Sequence, residues 1–131
     1  MRARAVVTGA AGFIGSQLTE TLLAAGRPVV GIDAFTPYYS RCLKRANIAT
    51  ACQHPLFQLL TGDLNELDLT EVLRPGDLVF HLAAQPGVRS SWGSGFAEYT
   101  RHNVDATQRL LEAATCQKVA KLLLPDTTDA T

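Results

Sequence analysis

Apolar residues along this chain alternate between short unbroken runs and longer stretches in which they recur every three or four positions. Ala5-Val6-Val7-Thr8 is one such run, closed by Gly9, and it predicts a strand buried on both faces. Over residues 13–25 the pattern changes to Ile14, Leu18, Leu22 and Ala25, one face of a helix that Gly26 would end. Residues 28–33 form a second strand-like run, apolar until Asp33. A loop carrying Phe35, Pro37, Tyr38 and Tyr39 comes next, then a mixed segment over 43–51 expected to be helical, then Pro55 and a third strand over 56–60. After the turn Thr61-Gly62-Asp63-Leu64, the positions Leu64, Leu67, Leu69, Val72 and Leu73 fit a short helix that Pro75-Gly76 breaks. Residues 77–82 predict a fourth strand and 85–95 a loop rich in Gly and Ser. Phe96, Tyr99, Asn103, Thr107, Leu110, Leu111 and Ala114 then mark one face of a long helix, and a fifth strand is expected over 119–124.

Strands and helices thus alternate at intervals of roughly 20–30 residues with no hairpin signal, which means parallel pairing through helical crossovers. The expected architecture is α/β: a Rossmann-like, doubly wound parallel sheet of five strands in the order 3-2-1-4-5. No internal repeat, low-complexity tract or interdomain linker interrupts it.

Composition removes several function classes. The chain has 131 residues, 47% hydrophobic and 18% charged, so a packed domain is expected and disorder is not. Twelve Lys and Arg balance twelve Asp and Glu, and this neutrality argues against a nucleic-acid partner. No apolar stretch is long enough for a membrane span, and the N-terminus lacks the pattern of a signal peptide. Cys42, Cys52 and Cys116 are odd in number and widely spaced, as expected for reduced thiols in the cytoplasm and not for a disulfide framework or zinc site. His54 and His102 lack partners at ligand spacing, so no metal is expected. Arg41, Lys44 and Arg45 read as a solvated helix face. The length suits a nucleotide-binding half better than a complete two-substrate enzyme.

The most informative segment is Thr8-Gly9-Ala10-Ala11-Gly12-Phe13-Ile14-Gly15. Gly9 stands where the chain leaves the strand and must turn sharply. Gly12 removes a side chain where a pyrophosphate could approach the backbone, and Gly15 allows the helix to pack close to the sheet. The helix would then direct unpaired N–H groups and the positive end of its dipole at phosphates. The alternative is a tight turn without a ligand, which the strand before and the helix after make the weaker reading. Asp33, at the end of the second strand, can accept hydrogen bonds from ribose hydroxyls and would repel a 2′-phosphate, favouring NAD over NADP; a cap or turn role is the alternative. Asp63 could meet an adenine amino group or serve as an N-cap. His81, inside an apolar strand, reads as a buried, hydrogen-bonded core histidine.

The spacing Thr-Gly-x-x-Gly-x-x-Gly, with Gly62-Asp63-Leu64 and His81-Leu82-Ala83-Ala84-Gln85, resembles the extended short-chain dehydrogenase/reductase family, which includes NAD-dependent nucleotide-sugar epimerases and dehydratases. Residues 103–114 are similar to that family's Asn-Val-x-Gly-Thr-x-x-Leu-Leu-Glu-Ala helix, with Ala106 for the usual Gly. The likeness covers residues 4–124. It implies an NAD site formed by Gly9, Ala11, Gly12, Phe13, Ile14, Gly15, Asp33, Asp63, Leu64, Leu82, Ala83, Ala84 and Asn103, a homodimer in the full-length family, and hydride transfer from the sugar to NAD and back. Gly31-Ile32-Asp33-x-Phe35-x-x-Tyr38-Tyr39, Leu43-Lys44-Arg45-Ala46 and Ala84-Gln85-Pro86-Gly87-Val88-Arg89-Ser90-Ser91 are similar to UDP-glucuronate 4-epimerases. That narrower resemblance implies a UDP-sugar partner touched by Arg89 and Ser90. A guanidinium can grip a sugar carboxylate through two parallel hydrogen bonds; a surface arginine in a loop is the alternative.

The sequence departs from the family at its catalytic residues. The expected proton acceptor is the Tyr of a Tyr-x-x-x-Lys motif, yet Tyr38, Tyr39 and Tyr99 are followed four residues on by Cys42, Leu43 and Asn103. Thr127 falls nearest the family's catalytic Ser/Thr, within a segment over 125–131 that matches poorly. A truncated or frame-shifted product, or a fragment, is expected, inactive by itself. The alternative is a non-catalytic NAD-binding module, acting as a redox sensor or partner subunit.

Overall fold

The computed structural model describes residues 3–33, 41–82 and 94–123. Five strands, β1 (Ala5–Thr8), β2 (Val29–Asp33), β3 (Phe57–Thr61), β4 (Leu78–His81) and β5 (Lys121–Leu123), alternate with four helices, α1 (Phe13–Ala24), α2 (Arg41–Cys52), α3 (Leu69–Val72) and α4 (Ser94–Gln117). The strands form one sheet in the order β3-β2-β1-β4-β5, every neighbouring pair parallel, as the alternation predicts. Val6 of β1 stands opposite Val30 of β2 and Val79 of β4. All residues of β1 and β2 are buried, the consequence of helices on both faces.

Because successive side chains of a strand point to opposite faces, the core divides in two. On one face Val6, Val30, Ile32 and Val79 pack with Leu69 and Leu73 near α3 and with Ala106, Leu110, Ala113 and Ala114 of α4. On the other, Ala5, Val7 and Val29 pack with Ala10, Ala11, Leu23, and Ile48 and Ala51 of α2. At the end of the sheet where the strands begin, the Arg4 guanidinium grips Asp77 from Nε and Nη2 at 3.2 and 2.7 Å and donates to the Val72 carbonyl at 2.6 Å. Asp77 is 3% exposed and also accepts the Arg74 N–H, so the pair ties β1 to the segment entering β4.

Four expectations from the sequence pattern differ from the structure. Ile14 is 53% exposed, and the buried face of α1 is Gly15, Ser16, Thr19 and Leu23. The Ser16 and Thr19 hydroxyls donate to the carbonyls of Phe13 and Gly15, so two polar residues enter the interior already satisfied. Among the described side chains of α4, those of residues 105–117, the buried ones are Ala106, Leu110, Ala113 and Ala114, while Leu111 lies one step around the helix and is 41% exposed. The helix starts at Ser94, inside the stretch expected to be loop. Leu64 and Leu67 sit in turns ahead of α3, because the Asp63 carboxylate and carbonyl take the N–H groups of Asn65, Glu66 and Leu67 in a local turn.

Candidate functional site

In a doubly wound sheet, ligands bind beyond the carboxyl ends of the strands where the strand order reverses. Here that point lies between β1 and β4, and the glycine-rich turn leaves β1 beside it. Gly9 has φ +69°, a left-handed conformation that glycine adopts at no steric cost. Its N–H and that of Ala10 both donate to the Ile32 carbonyl, at 2.7 and 3.2 Å, which anchors the turn to the end of β2. An added Cβ on Gly15 would lie 2.1 Å from the Gly9 carbonyl oxygen and 3.1 Å from the Ala10 Cα, so close approach of α1 to the turn demands glycine there.

Gly12 differs. Its φ of −71° suits any residue, and an added Cβ would meet a single atom, the Gly9 oxygen, at 3.3 Å. It stands at the N-cap of α1, where no side chain caps the helix. The Gly12 N–H is taken by Gly9 and the first intrahelical bond is Ser16 N–H to the Gly12 carbonyl at 2.9 Å. The N–H groups of Phe13, Ile14 and Gly15 precede that bond and point out of the helix end with the positive end of its dipole. The Phe13 and Ile14 side chains flank this end and are 63% and 53% exposed.

Asp33 ends β2 with 4% exposure, and its Oδ2 accepts the Ala11 N–H at 3.1 Å. From the other side, Asn47 of α2 donates its Nδ2 hydrogen to the Ala11 carbonyl at 3.1 Å. Nothing in the sequence marks Asn47 as a site residue, since a polar residue inside a helix carries no periodic signal. Asp63 caps its own turn through Asn65 and is not the N-cap of α3, a position held by Asp68. The side chain of Leu64 is in the core, 5% exposed.

His81, at the end of β4, is 1% exposed. Its Nδ1 lies 2.7 Å from the Thr8 hydroxyl and its Nε2 2.9 Å from the Thr107 hydroxyl of α4. The Thr8 hydroxyl also accepts the Leu82 N–H at 2.9 Å, so β1, β4 and α4 are joined just below the turn. Burial pushes the imidazole down to about 4, leaving it neutral at neutral pH, with one ring nitrogen donating and the other accepting. This matches the core reading of His81.

The structure therefore brings together Gly9, Ala11, Gly12, Phe13, Ile14, Gly15 and Asp33, with Leu82 on the adjoining strand end. Ala83, Ala84, Arg89, Ser90 and Thr127 lie outside the described residues, as does the side chain of Asn103 on α4. Among the described residues no group of His, Cys, Asp and Glu could hold a metal ion, and no helix is long and apolar enough to cross a membrane.

Comparison with known proteins agrees with this geometry. Residues 5–130 match the model of the NAD dependent epimerase/dehydratase family. An uncharacterized UDP-glucose epimerase of Bacillus subtilis strain 168, YtcB, is 48% identical over 109 residues, covering 82% of this chain and 34% of that protein. UDP-glucuronate 4-epimerase 2 of Arabidopsis thaliana is 38% identical over 110 residues, 82% of this chain and 25% of that protein. The crystal structure of UDP-glucuronic acid 4-epimerase from Bacillus cereus, in complex with UDP-glucuronic acid and NAD, superposes with a TM-score of 0.86 at 43% identity, covering 92% of this chain and 39% of that one. The chain thus spans about a quarter to two-fifths of the length of these relatives. With residues 5–130 of this 131-residue chain matching the family model, the chain belongs to the NAD-dependent epimerase/dehydratase family.

Proposed function

We propose that this chain is the NAD-holding part of an enzyme that epimerises or dehydrates a nucleotide sugar, with a UDP-sugar as substrate. The observation that carries the NAD reading is the contrast between two glycines. Gly15 is required by packing, whereas Gly12 is required neither by its φ nor by more than one close contact, and it stands at an uncapped helix end. A missing side chain at that place leaves room for a pyrophosphate on the N–H groups of Phe13, Ile14 and Gly15. Asp33 would receive the adenosine ribose hydroxyls and disfavour a 2′-phosphate. NAD would supply a reversible hydride acceptor for the sugar.

The substrate class rests on the relatives, several of which carry UDP-glucuronic acid or UDP-glucose together with NAD. Arg89 and Ser90 are the proposed sugar contacts. The exposed free thiols of Cys52 and Cys116 fit a reducing compartment, and we place the protein in the cytoplasm.

A calorimetric titration with NAD tests the reading. Saturable binding that Gly12→Val abolishes supports it, and no binding at millimolar NAD refutes it. A second reading is a binding module without catalysis, since the residues given hold no Tyr-x-x-x-Lys, and turnover separates the two. Incubation of the 131-residue chain with NAD and UDP-glucuronate or UDP-glucose is expected to give no epimerised sugar. Clear turnover would exclude the module reading.

A further inference from the structure

We propose that Asn47 of α2 is a positioning residue for the cofactor turn: with Asp33, it grips Ala11 from both sides and sets the direction of the N–H groups that α1 presents. The inference rests on the NAD reading above. The turn between β1 and α1 carries glycine at 9 and 12, so its backbone has few steric restraints of its own. A phosphate site works best when its donors are already aligned, because ordering them on binding lowers affinity.

Two consecutive peptide planes meet at Ala11. The Ala10–Ala11 plane is held by the Ala11 N–H on Asp33 Oδ2 at 3.1 Å. The Ala11–Gly12 plane is held by its carbonyl, which accepts from Asn47 Nδ2 at 3.1 Å. A carbonyl can only accept, so the amide nitrogen of Asn47, not its oxygen, must face it. In a trans peptide the N–H points opposite to the C=O, so drawing the Ala11 carbonyl toward α2 turns the Gly12 N–H toward the Gly9 oxygen, where it is found at 3.1 Å. With both planes fixed, the chain enters α1 in one direction and the Phe13, Ile14 and Gly15 N–H groups follow. Asn47 itself is seated by its neighbour Ile48, 3% exposed, which packs in one cluster with Ala10 and Ala11. The second helix, remote from the glycine motif in sequence, thereby takes part in holding the cofactor.

The test compares Asn47→Leu, which keeps the branched skeleton of heavy atoms but removes the donor, with Asn47→Ala and with Ile48→Val, which loosens the same helix and leaves the hydrogen bond. The first measurement is amide hydrogen exchange of the ligand-free chain, reading Ala11 and Gly12 relative to Val6 and Val30 in the strands. Both Asn47 variants are expected to speed exchange at Ala11 and Gly12 selectively, by about fivefold to tenfold, whereas Ile48→Val changes all four amides together. The second measurement is NAD affinity, expected to fall by about fivefold to tenfold in the Asn47 variants and to stay within about twofold in Ile48→Val. Unchanged relative exchange in both Asn47 variants overturns the grip on Ala11. Faster exchange with unchanged NAD affinity overturns the positioning role. If the unsubstituted chain binds no NAD, the cofactor reading falls, and exchange at Ala11 still decides whether Asn47 holds the turn.

Discussion

Replacing Gly15 and Gly12 by alanine, one at a time, should separate the two uses of glycine in the turn. At Gly15 the new Cβ would sit 2.1 Å from the Gly9 carbonyl oxygen and 2.9 Å from the carbonyl carbon. Ordinary contact begins at 3.4 Å, so about 1.3 Å must be recovered. The obstructing atoms are backbone, so no rotamer change can relieve them, and Gly9 is itself anchored to Ile32. Overpacking of this kind costs about 2–3 kcal/mol, or about 7–11 °C in Tm at the unfolding entropy expected for 131 residues. At Gly12 the one contact, 3.3 Å, needs a shift of a few tenths of an ångström, and φ is already that of ordinary residues. Stability should change there by less than about 0.5 kcal/mol, because the restricted unfolded chain offsets the weaker N-cap. NAD affinity should nevertheless fall at least about tenfold in Gly12→Ala, since the methyl group enters the phosphate space. Urea unfolding and NAD calorimetry on the two variants read both quantities. A Gly15→Ala chain as stable as the original, or a Gly12→Ala chain that binds NAD equally well, would refute the assignment.

Three further outcomes follow from named contacts. His81 is depressed to about 4 from an ordinary 6.5, so the unfolded chain takes up the proton first; its contribution is complete above about pH 6.5 and is lost as the pH falls toward about 4, by up to about 3 kcal/mol. Urea midpoints from pH 7 to 4.5 should show this slope in the original chain and a flatter one in His81→Gln. Asp33→Ala leaves the Ala11 N–H buried without that acceptor and should lower stability by about 1–3 kcal/mol while reducing discrimination between NAD and NADP; an equally discriminating variant would mean that Asp33 is not the selector. Asp77→Ala strands the Arg4 guanidinium and should lower the unfolding free energy by about 3 kcal/mol with NAD affinity per folded molecule unchanged, checked by the same pair of assays.

The parts legible in the sequence are those whose physics is local. The runs at β1 and β2 read clearly because strands covered on both faces need apolar side chains at every position. The helix faces read less well. Ser16 and Thr19 are buried because their hydroxyls bond back along α1, and Leu111 is exposed although it is apolar, so hydropathy alone turned both helices slightly. At the site, Gly9 and Gly15 were legible through the tight geometry that glycine serves. The place of Asp33 at the end of a strand shows what it would offer a ribose, while its bond to the Ala11 N–H is a tertiary contact across 22 residues. Asn47 is not legible because its partner lies 36 residues away and no spacing rule connects them. The His81 pairing with Thr8 and Thr107 likewise depends on β1, β4 and α4 meeting, which only the fold supplies.

An amide NMR titration of this chain with NAD tests most directly whether the glycine turn holds the cofactor. Saturable shifts are expected to be largest at Gly12, Phe13, Ile14 and Gly15, accompanied by a shift at Asp33, and to be lost in Gly12→Val. Absence of saturable shifts up to millimolar NAD, or shifts confined to residues outside this turn, would contradict it.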